Sequence, residues 1–513
     1  MKGTPTRPNI LFVLVDDLGY WGMGCAGNPE IRTPNLDRIA EEGIRFGSFF
    51  CTSPVCSPAR ASILTGRIPS QHGVHDWIRA GNSRDEKERG GVLIEYLSGQ
   101  VGYTDVLAQH GYVCGISGKW HLGDSHHPQK SFSFWEVHAK GGGTYYGAPM
   151  IRDGEVQQTP GYVTDVITDN ALRFLAGRTG QDAPWYLSVH YTAPHSPWDR
   201  ENHPDTIYDE YYEHCPFASL PVEPMHPWQM NSAPYGLDEE RRRAILSGYF
   251  AATIAMDAGV GRILQWLEER GLRENTLLLF MSDNGMNMGH HGIYGKGNGT
   301  FPQNMYDTSV KVPALVSQPG CVPQGIVCEE MLSQYDLMPT LLDYLGFDHP
   351  ALSHLPGQSF APLLRGEPLS TREAVVVLDE GRGGEHAVFD EYGPVRMIRT
   401  RAWKYVHRYP YGPHELYDLA NGPEERHNLI GDDGYRRIVR DLKAGLEEWF
   451  VRYVDPRRDG VHEAVTGKGQ LGLAGPAGKG EQVWADDWSY TNRSISNQFP
   501  REMPPQYPAT RLP

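Results

Sequence analysis

Four continuously apolar stretches each run straight into residues suited to chemistry: residues 9–15 before Asp16-Asp17, 112–117 before Lys119, 185–191 before His195, and 277–281 before Asp283-Asn284. A strand with one wet face alternates apolar and polar residues, so unbroken runs of this length predict strands covered on both faces. That is the pattern of a parallel sheet sandwiched by helices, in which ligand residues gather at the carboxyl ends of the strands. Helical patterns lie between the runs. Residues 33–40 offer a cap-type Thr followed by Pro at the first helical position, residues 249–270 carry apolar groups at helical spacing and stop at Gly271, and residues 333–345 form a third such segment. The expected fold class is α/β, a large mainly parallel sheet with helices on both faces, over residues 1–372.

A chain of 513 residues exceeds what one core organises. Residues 373–465 change character, with strand-like 374–378, 395–400 and 403–409 followed by a helical 435–453, and predict a smaller α+β unit built on an antiparallel sheet. Residues 466–513 are rich in Gly, Pro and Gln with isolated aromatics, namely Trp484, Trp488, Tyr490, Phe499 and Tyr507, and cannot build a core of their own. The expectation for this extended tail is disorder or docking on the main body, or on a second copy to give a homo-oligomer.

The net charge of −16 excludes a broad basic face for nucleic acid or an anionic membrane, while leaving room for a locally positive pocket that takes an anionic substrate. Seven scattered cysteines without paired spacing predict reduced thiols. The residues before the first strand show no leader pattern, and no apolar run reads as long enough to span a bilayer. The corresponding expectation is a cytoplasmic protein if the sequence is complete, and a periplasmic or secreted one if a leader has been removed.

Asp16-Asp17 and Asp283-Asn284 supply four oxygen side chains, the ligand type that Ca²⁺ or Mg²⁺ selects. Either dipeptide alone is an ordinary turn; two of them after apolar strands predict a divalent metal site. Cys56 enters a helical segment four residues before Arg60, a setting that favours negative charge at the sulfur. Arg60, Lys119, His121, His195 and Lys296 are cations or proton carriers spread over more than two hundred residues, each individually uninformative. His75, Asp76, Trp77, Tyr145 and Trp198 are candidate substrate-binding residues of a polar and aromatic pocket.

Cys56-Ser57-Pro58-Ala59-Arg60 with its continuation to Thr65-Gly66, the two metal motifs, Gly118-Lys119-Trp120-His121-Leu122-Gly123, Pro194-His195, Thr33-Pro34-Asn35 and Glu415-Leu416-Tyr417-Asp418 together resemble the type I, formylglycine-dependent sulfatases of the alkaline-phosphatase-like superfamily. The resemblance implies that a maturation enzyme, formylglycine-generating or radical, oxidises Cys56 to formylglycine. It also implies that Asp16, Asp17, Asp283, Asn284 and the modified Cys56 bind a divalent metal, Ca²⁺ before Mg²⁺. In that scheme Arg60 and His121 stabilise or activate the aldehyde hydrate, and Lys119, His195 and Lys296 hold sulfate oxygens, with His195 or Lys296 assisting the leaving alcohol. One hydrate oxygen attacks sulfur, the bond to the alcohol oxygen breaks, and the second hydroxyl expels sulfate as the aldehyde reforms. One departure stands out: residues 297–305 separate Lys296 from Tyr306 by more than the family's usual spacing.

The function these features predict is a sulfuric-ester hydrolase acting on a sulfated carbohydrate, either a small molecule or an oligosaccharide. An aryl-sulfate hydrolase or a phosphonate monoester or phosphodiester hydrolase using the same centre is the alternative, and a catalytically silent binder of sulfated glycans a further one. Gly295-Lys296-Gly297 lacks the GxxxxGK[ST] of a phosphate loop, and the His126-His127 and His290-His291 pairs lack the spacing of a zinc helix.

Overall fold

The first strand explains the architecture. In β1 (Asn9–Val15) every residue is buried, yet Ile10, Phe12 and Leu14 belong to one hydrophobic core and Leu11, Val13 and Val15 to another. Successive side chains of a strand point to opposite faces, so a continuous apolar run is what a sheet between two cores requires. The computed structural model describes residues 7–486 apart from 231–234, 237, 370–373 and 376–384.

The main sheet has ten strands: β1, β2 (Ile44–Phe46), β3 (Val113–Lys119), β4 (Phe132–His138), β5 (Pro149–Arg152), β6 (Glu155–Gln158), β7 (Trp185–His190), β8 (Thr276–Ser282), β9 (Ala314–Ser317) and β10 (Ile326–Cys328), in the order β10-β2-β9-β8-β1-β7-β3-β4-β5-β6. The strands β8, β1, β7, β3 and β4 are parallel to one another. The margins are not: β9 runs antiparallel to both β8 and β2, and β5 and β6 close the other edge as an antiparallel extension. The expected parallel sheet is thus the centre of a mixed one. The long apolar runs belong to the centre, since the marginal strands are only three or four residues long.

Helix α1 (Pro34–Glu41) packs on one face with α3 (Val163–Ala176) and α4 (Glu239–Glu269), while α2 (Cys56–Thr65) and α5 (Leu337–Leu345) lie on the other. Helix α4 begins ten residues before the apolar pattern does, because Asp238 caps it by accepting from the Arg241 N–H and two acids fill its first turn. It is long and apolar enough to cross a membrane, contrary to the sequence expectation, but 72% of its apolar window is buried inside the protein, as in a core helix.

The C-terminal unit is a four-stranded antiparallel sheet, β11 (Val388–Tyr392), β12 (Val395–Arg399), β13 (Trp403–Arg408) and β14 (Glu415–Asp418), covered by α6 (Arg436–Tyr453). Leu442, Leu446 and Phe450 recur every four residues along α6 and meet Phe389, Ile398, Tyr405 and Leu416 of the sheet. The strand expected over 374–378 is described only as Ala374–Val375, paired with Glu385–His386; 376–378 lie outside the described residues, as do Trp488, Tyr490, Phe499 and Tyr507. Residues 465–485 are hydrogen-bonded along the main body at many points, including Gln470 to the segment 73–79.

Candidate active site

The carboxyl ends of the central strands bring the predicted residues together. Asp16 and Asp17 follow β1, Asp283 and Asn284 follow its parallel neighbour β8, Lys119 ends β3, and Cys56 is the first residue of α2. Oxygens of Asp16, Asp17 and Asp283 lie within 4.8 Å of one another, as do ligand atoms of Asp16, Cys56 and His195. All but His195 are buried. The Cys56 sulfur lies 3.4 Å from Asp16 Oδ1 and 2.7 Å from the Lys296 ammonium.

Each carboxylate is matched by one cation. Lys119 Nζ donates to Asp16 Oδ2 at 2.5 Å, Lys296 Nζ to Asp17, and Arg60 Nε to Asp283 Oδ2 at 2.8 Å. Burial pushes the Asp16 carboxyl up, but Lys119, His195, Lys296 and Arg60 outweigh it and hold the group well below the ordinary value. Asp283 shifts the other way, raised by burial and by the neighbouring Asp16. Burial and Asp16 also push the Cys56 thiol up to about 12, so the encoded thiol is a poor nucleophile here.

Two site residues hold left-handed backbone, Asp17 at φ 67° and His121 at φ 54°. Such conformations cost about 1–3 kcal/mol each and persist only where the surroundings over-determine them. Around Asp17, the Tyr249 hydroxyl donates to its carbonyl at 2.9 Å and Asn284 Nδ2 donates to its side chain at 2.8 Å. His121 Nε2 sits 2.8 Å from the Ile78 carbonyl; a carbonyl only accepts, so the proton is on Nε2 and the lone pair on Nδ1. Burial, with Lys119 nearby, keeps this ring neutral. His195 is fixed in the opposite sense, its Nδ1–H donating to the Ser196 carbonyl at 2.7 Å and its Nε2 lying 3.7 Å from Asp17 Oδ2.

Unspent hydrogen-bonding capacity marks where a metal and a substrate fit. Asn284 donates through Nδ2 to Asp17 and to the Gly285 carbonyl, which leaves its Oδ1 buried with no partner beside three carboxylates. That all-oxygen donor set suits a hard divalent cation. His121 Nδ1 and Arg60 Nη2 are likewise buried without a partner. Two acceptors and a donor converging in one site suit a bound cation together with an anionic substrate.

All six predicted catalytic residues, Cys56, Arg60, Lys119, His121, His195 and Lys296, lie in this site. The long segment after Lys296 is buttressed: Gly297 N–H donates to the Pro54 carbonyl at 3.0 Å and Asn304 Nδ2 to the Lys296 carbonyl at 3.0 Å. Most of the candidate substrate-binding residues are packed away from solvent, as the catalytic residues are. His75, Asp76, Tyr145 and Trp198 are interior, at 0–2% exposure. Tyr145 OH donates to the His195 carbonyl at 2.7 Å and Trp198 Nε1 to the Pro194 carbonyl at 2.7 Å, so both steady the His195 segment. Asp76 accepts from Tyr392 OH and from the Gly469 N–H. Trp77 is half-buried, with its indole N–H on the Gly467 carbonyl.

Sequence reasoning missed three contributors. Gln334 is fully buried and donates to the Ser282 and Asp283 carbonyls at 3.1 and 2.7 Å, fixing the end of β8. His138 ends β4 directly beside Lys119, paired with it in the sheet register. Gly141 lies so close to the His121 ring that a Cβ there would overlap it; the run Gly141-Gly142-Gly143 was the one visible signal.

Comparison with known proteins follows the same line. A family model described as "Sulfatase" matches residues 8–347, and one described as "N-sulphoglucosamine sulphohydrolase, C-terminal" matches 289–451. An N-acetylglucosamine-6-O-sulfatase of Bacteroides thetaiotaomicron is 29% identical over 92% of this chain and 91% of its own. A solved structure in complex with its substrate D-glucosamine-2-N,6-O-disulfate superposes with a TM-score of 0.73 at 25% identity, over 88% of this chain and 99% of that one. The phosphonate monoester hydrolase of Agrobacterium radiobacter shares the fold, with a TM-score of 0.62 at 22% identity over 88% of this chain and 96% of that one.

Proposed function

Because the chain belongs to the sulfatase family, we propose that it releases inorganic sulfate from a sulfated carbohydrate, with a 6-O-sulfated glucosamine unit as the first substrate to test, and that it does so through formylglycine at position 56 and a divalent metal. The observation that carries the reading is the placement of Cys56, whose sulfur marks the position of the formylglycine oxygens between Lys296 and the three carboxylates. The sugar assignment is supported by the N-acetylglucosamine-6-O-sulfatase relative and by the structural neighbour that holds a sulfated glucosamine.

Asp16, Asp17, Asp283 and the free Oδ1 of Asn284 would hold the metal, Ca²⁺ the leading candidate, which when bound would supply positive charge to polarise the nucleophile and the ester. With the carboxylates committed to that ion, Lys119 and Lys296 are left to hold sulfate oxygens, and a buried site makes such fixed charges count for far more than in water. The neutral His121, with its Nδ1 lone pair inside the site, takes a proton from the nucleophile. His195 is the one site residue with appreciable exposure, at 24% of its side chain. Loaded from solvent to the imidazolium form beside Asp17, with Nδ1–H kept on the Ser196 carbonyl, it would carry a proton on Nε2 to deliver to the departing alcohol, which must itself reach solvent.

The test is sulfate release by metal-loaded protein whose residue-56 peptide mass shows formylglycine, on a panel of defined sulfated mono- and oligosaccharides, an aryl sulfate and a phosphonate monoester. Release from a 6-O-sulfated glucosamine supports the reading, and Cys56→Ala should abolish it without unfolding the protein. Turnover of the phosphonate ester alone, or full turnover by Cys56→Ala, would overturn it.

A further inference from the structure

The segment that closes over the C-terminal unit reaches back into the reaction centre. Gln470 is fully buried, and most of its capacity is spent on one stretch of chain almost four hundred residues earlier. Its N–H donates to the Trp77 carbonyl at 2.7 Å and its carbonyl accepts from the Arg79 N–H at 2.9 Å, a strand-like bridge with Ile78 at its centre. Its side-chain oxygen accepts from the His75 N–H at 2.9 Å, and its amide nitrogen donates to the Gly73 carbonyl at 3.1 Å and the Gly472 carbonyl at 2.9 Å. Next to it the Gly469 N–H meets Asp76 Oδ2 at 3.1 Å, while Tyr392 OH holds Asp76 Oδ1 at 2.6 Å.

What this bracing fixes is Ile78. Its N–H donates to Ser57 Oγ at 2.9 Å, the residue next to Cys56, and its carbonyl receives the His121 Nε2 proton at 2.8 Å. The same strap reaches the other side of the site. The Gly467 carbonyl accepts from Asn298 Nδ2 at 3.3 Å, two residues beyond Lys296, and the Val465 carbonyl accepts from Gln303 Nε2 at 3.4 Å. The unusually long segment between Lys296 and Tyr306 is the part that supplies these contacts. Residues 465–470 therefore tie the loop that orients His121 to the loop that carries Lys296.

We propose that this strap is a positioning clamp of the sulfatase centre and that Gln470 is a positioning residue, acting through the Ile78 carbonyl to keep His121 in the Nε2–H form with the Nδ1 lone pair unspent. Nothing in the strap touches the reacting atoms. The His121 backbone sits in the left-handed region at φ 54°, a conformation that holds only while its surroundings insist on it. An imidazole whose tautomer is set by one carbonyl loses its role when that carbonyl drifts, and catalytic groups tolerate displacements of only about half an ångström.

The clamp rests on the proposed function for its kinetic readout, and a second readout is independent of it. In full-length, matured, metal-loaded protein, Gln470→Ala should lower kcat at least tenfold with KM within threefold. Histidine ring nitrogens labelled with ¹⁵N, with His121 assigned by comparison with His121→Gln, should show the Nε2–H form in the parent and a loss of it in the variant. Turnover within twofold of the parent, or a kcat loss with the His121 tautomer unchanged, would overturn the clamp. If Gln470→Ala does not fold, Tyr392→Phe loosens the same loop by one hydrogen bond and should give a threefold or greater loss with the same change in the ring; a parent-like Tyr392→Phe would overturn the proposal. A parent protein that turns over no sulfate ester refutes the functional reading, and the tautomer comparison then decides the clamp alone.

Discussion

Two of the buried clusters of opposite charge differ in kind, and one of them is built to react. At the strand ends, Asp16, Asp17 and Asp283 face Lys119, Lys296 and Arg60. At the junction with the C-terminal sheet, Asp307 faces Arg399 at 2.9 Å and Lys404 at 2.5 Å, and Lys404 also lies 2.5 Å from Glu425. Burial pushes the Asp307 carboxyl up, but Arg399 and Lys404 outweigh it and hold the group well below the ordinary range, much as Lys119 and its neighbours do for Asp16. Ionic density and perturbed acidity are therefore common to both. The difference is in what is left over. Without hydrogen-bond partners, the first cluster keeps two acceptors and a donor in one site, Asn284 Oδ1, His121 Nδ1 and Arg60 Nη2, whereas what the junction leaves over are carboxylate oxygens, Glu425 Oε1, which is ion-paired to Lys404, and both oxygens of the neighbouring Asp390. A reaction centre is recognised by unspent donors and acceptors together in one place more than by charge.

Replacing one lysine in each cluster by methionine tests that difference most severely. Lys404→Met leaves Asp307 and Glu425 without a buried cation, and breaking such a pair costs about 3–5 kcal/mol. Denaturant unfolding should register that loss. Lys296→Met should leave metal-loaded protein folded, with unfolding free energy changed by less than about 1 kcal/mol, while lowering kcat on a sulfate ester by about 10²-fold or more, the cost of removing a preorganised partner of transition-state charge. Equal destabilisation by the two substitutions would erase the distinction drawn here.

Metal addition is the next largest effect. An ion that binds the folded state alone stabilises it by about 2.7 kcal/mol at a hundredfold excess over its Kd. Ca²⁺ should raise the melting temperature of the parent protein and of Lys404→Met alike, and a chelator should reverse the gain. In Asn284→Ala the gain should shrink, because the free Oδ1 is gone. An undiminished response in that variant would remove Asn284 from the ligand set, and a larger response to Mg²⁺ than to Ca²⁺ would reverse the expected metal preference.

The reactive cluster was legible in the sequence to the extent that its parts sit at strand ends. Asp16-Asp17 and Asp283-Asn284 follow unbroken apolar runs, and that pattern alone places them on one edge of a sheet buried on both faces. The junction cluster was not, because Asp307, Arg399, Lys404 and Glu425 lie in a short helix, two antiparallel strands and a loop, with no periodicity that relates them. The same limit hid Gln470 and the Ile78 carbonyl. A backbone acceptor has no side-chain identity, and a glutamine in a Gly- and Pro-rich stretch reads as solvated tail until the chain is seen folded back. His75, Asp76, Tyr145 and Trp198 show a different limit, since polar and aromatic composition fits a sugar pocket and a packed interior equally well. The antiparallel margins of the sheet escaped because strands of three or four residues carry too little pattern.

Asp390 gives the comparison its finest test. It lies beside the junction cluster, fully buried in β11, and neither of its oxygens has a hydrogen-bond partner. Burial pushes this carboxyl well above the ordinary value, against the pull of Lys404. Unpartnered atoms by themselves are thus insufficient to mark a site; here, with Glu425 Oε1, they are carboxylate oxygens alone. The consequence for stability has a definite sign. A carboxyl whose folded pKa is raised costs nothing below its unfolded pKa, near 3.9, where both states are protonated, and destabilises the fold increasingly as pH rises from there to the folded value. Asp307, held low, behaves oppositely: its contribution is present above about pH 4 and is lost only as pH falls through its depressed folded pKa. Asp390→Asn should therefore match the parent at about pH 4 and gain on it by ~1.4 kcal/mol for each pH unit above that until the folded pKa is reached, measured as unfolding free energy against pH. A flat difference would mean that Asp390 ionises as it does in the unfolded chain and is compensated in the fold, which would remove it from the bonding capacity left over at the junction.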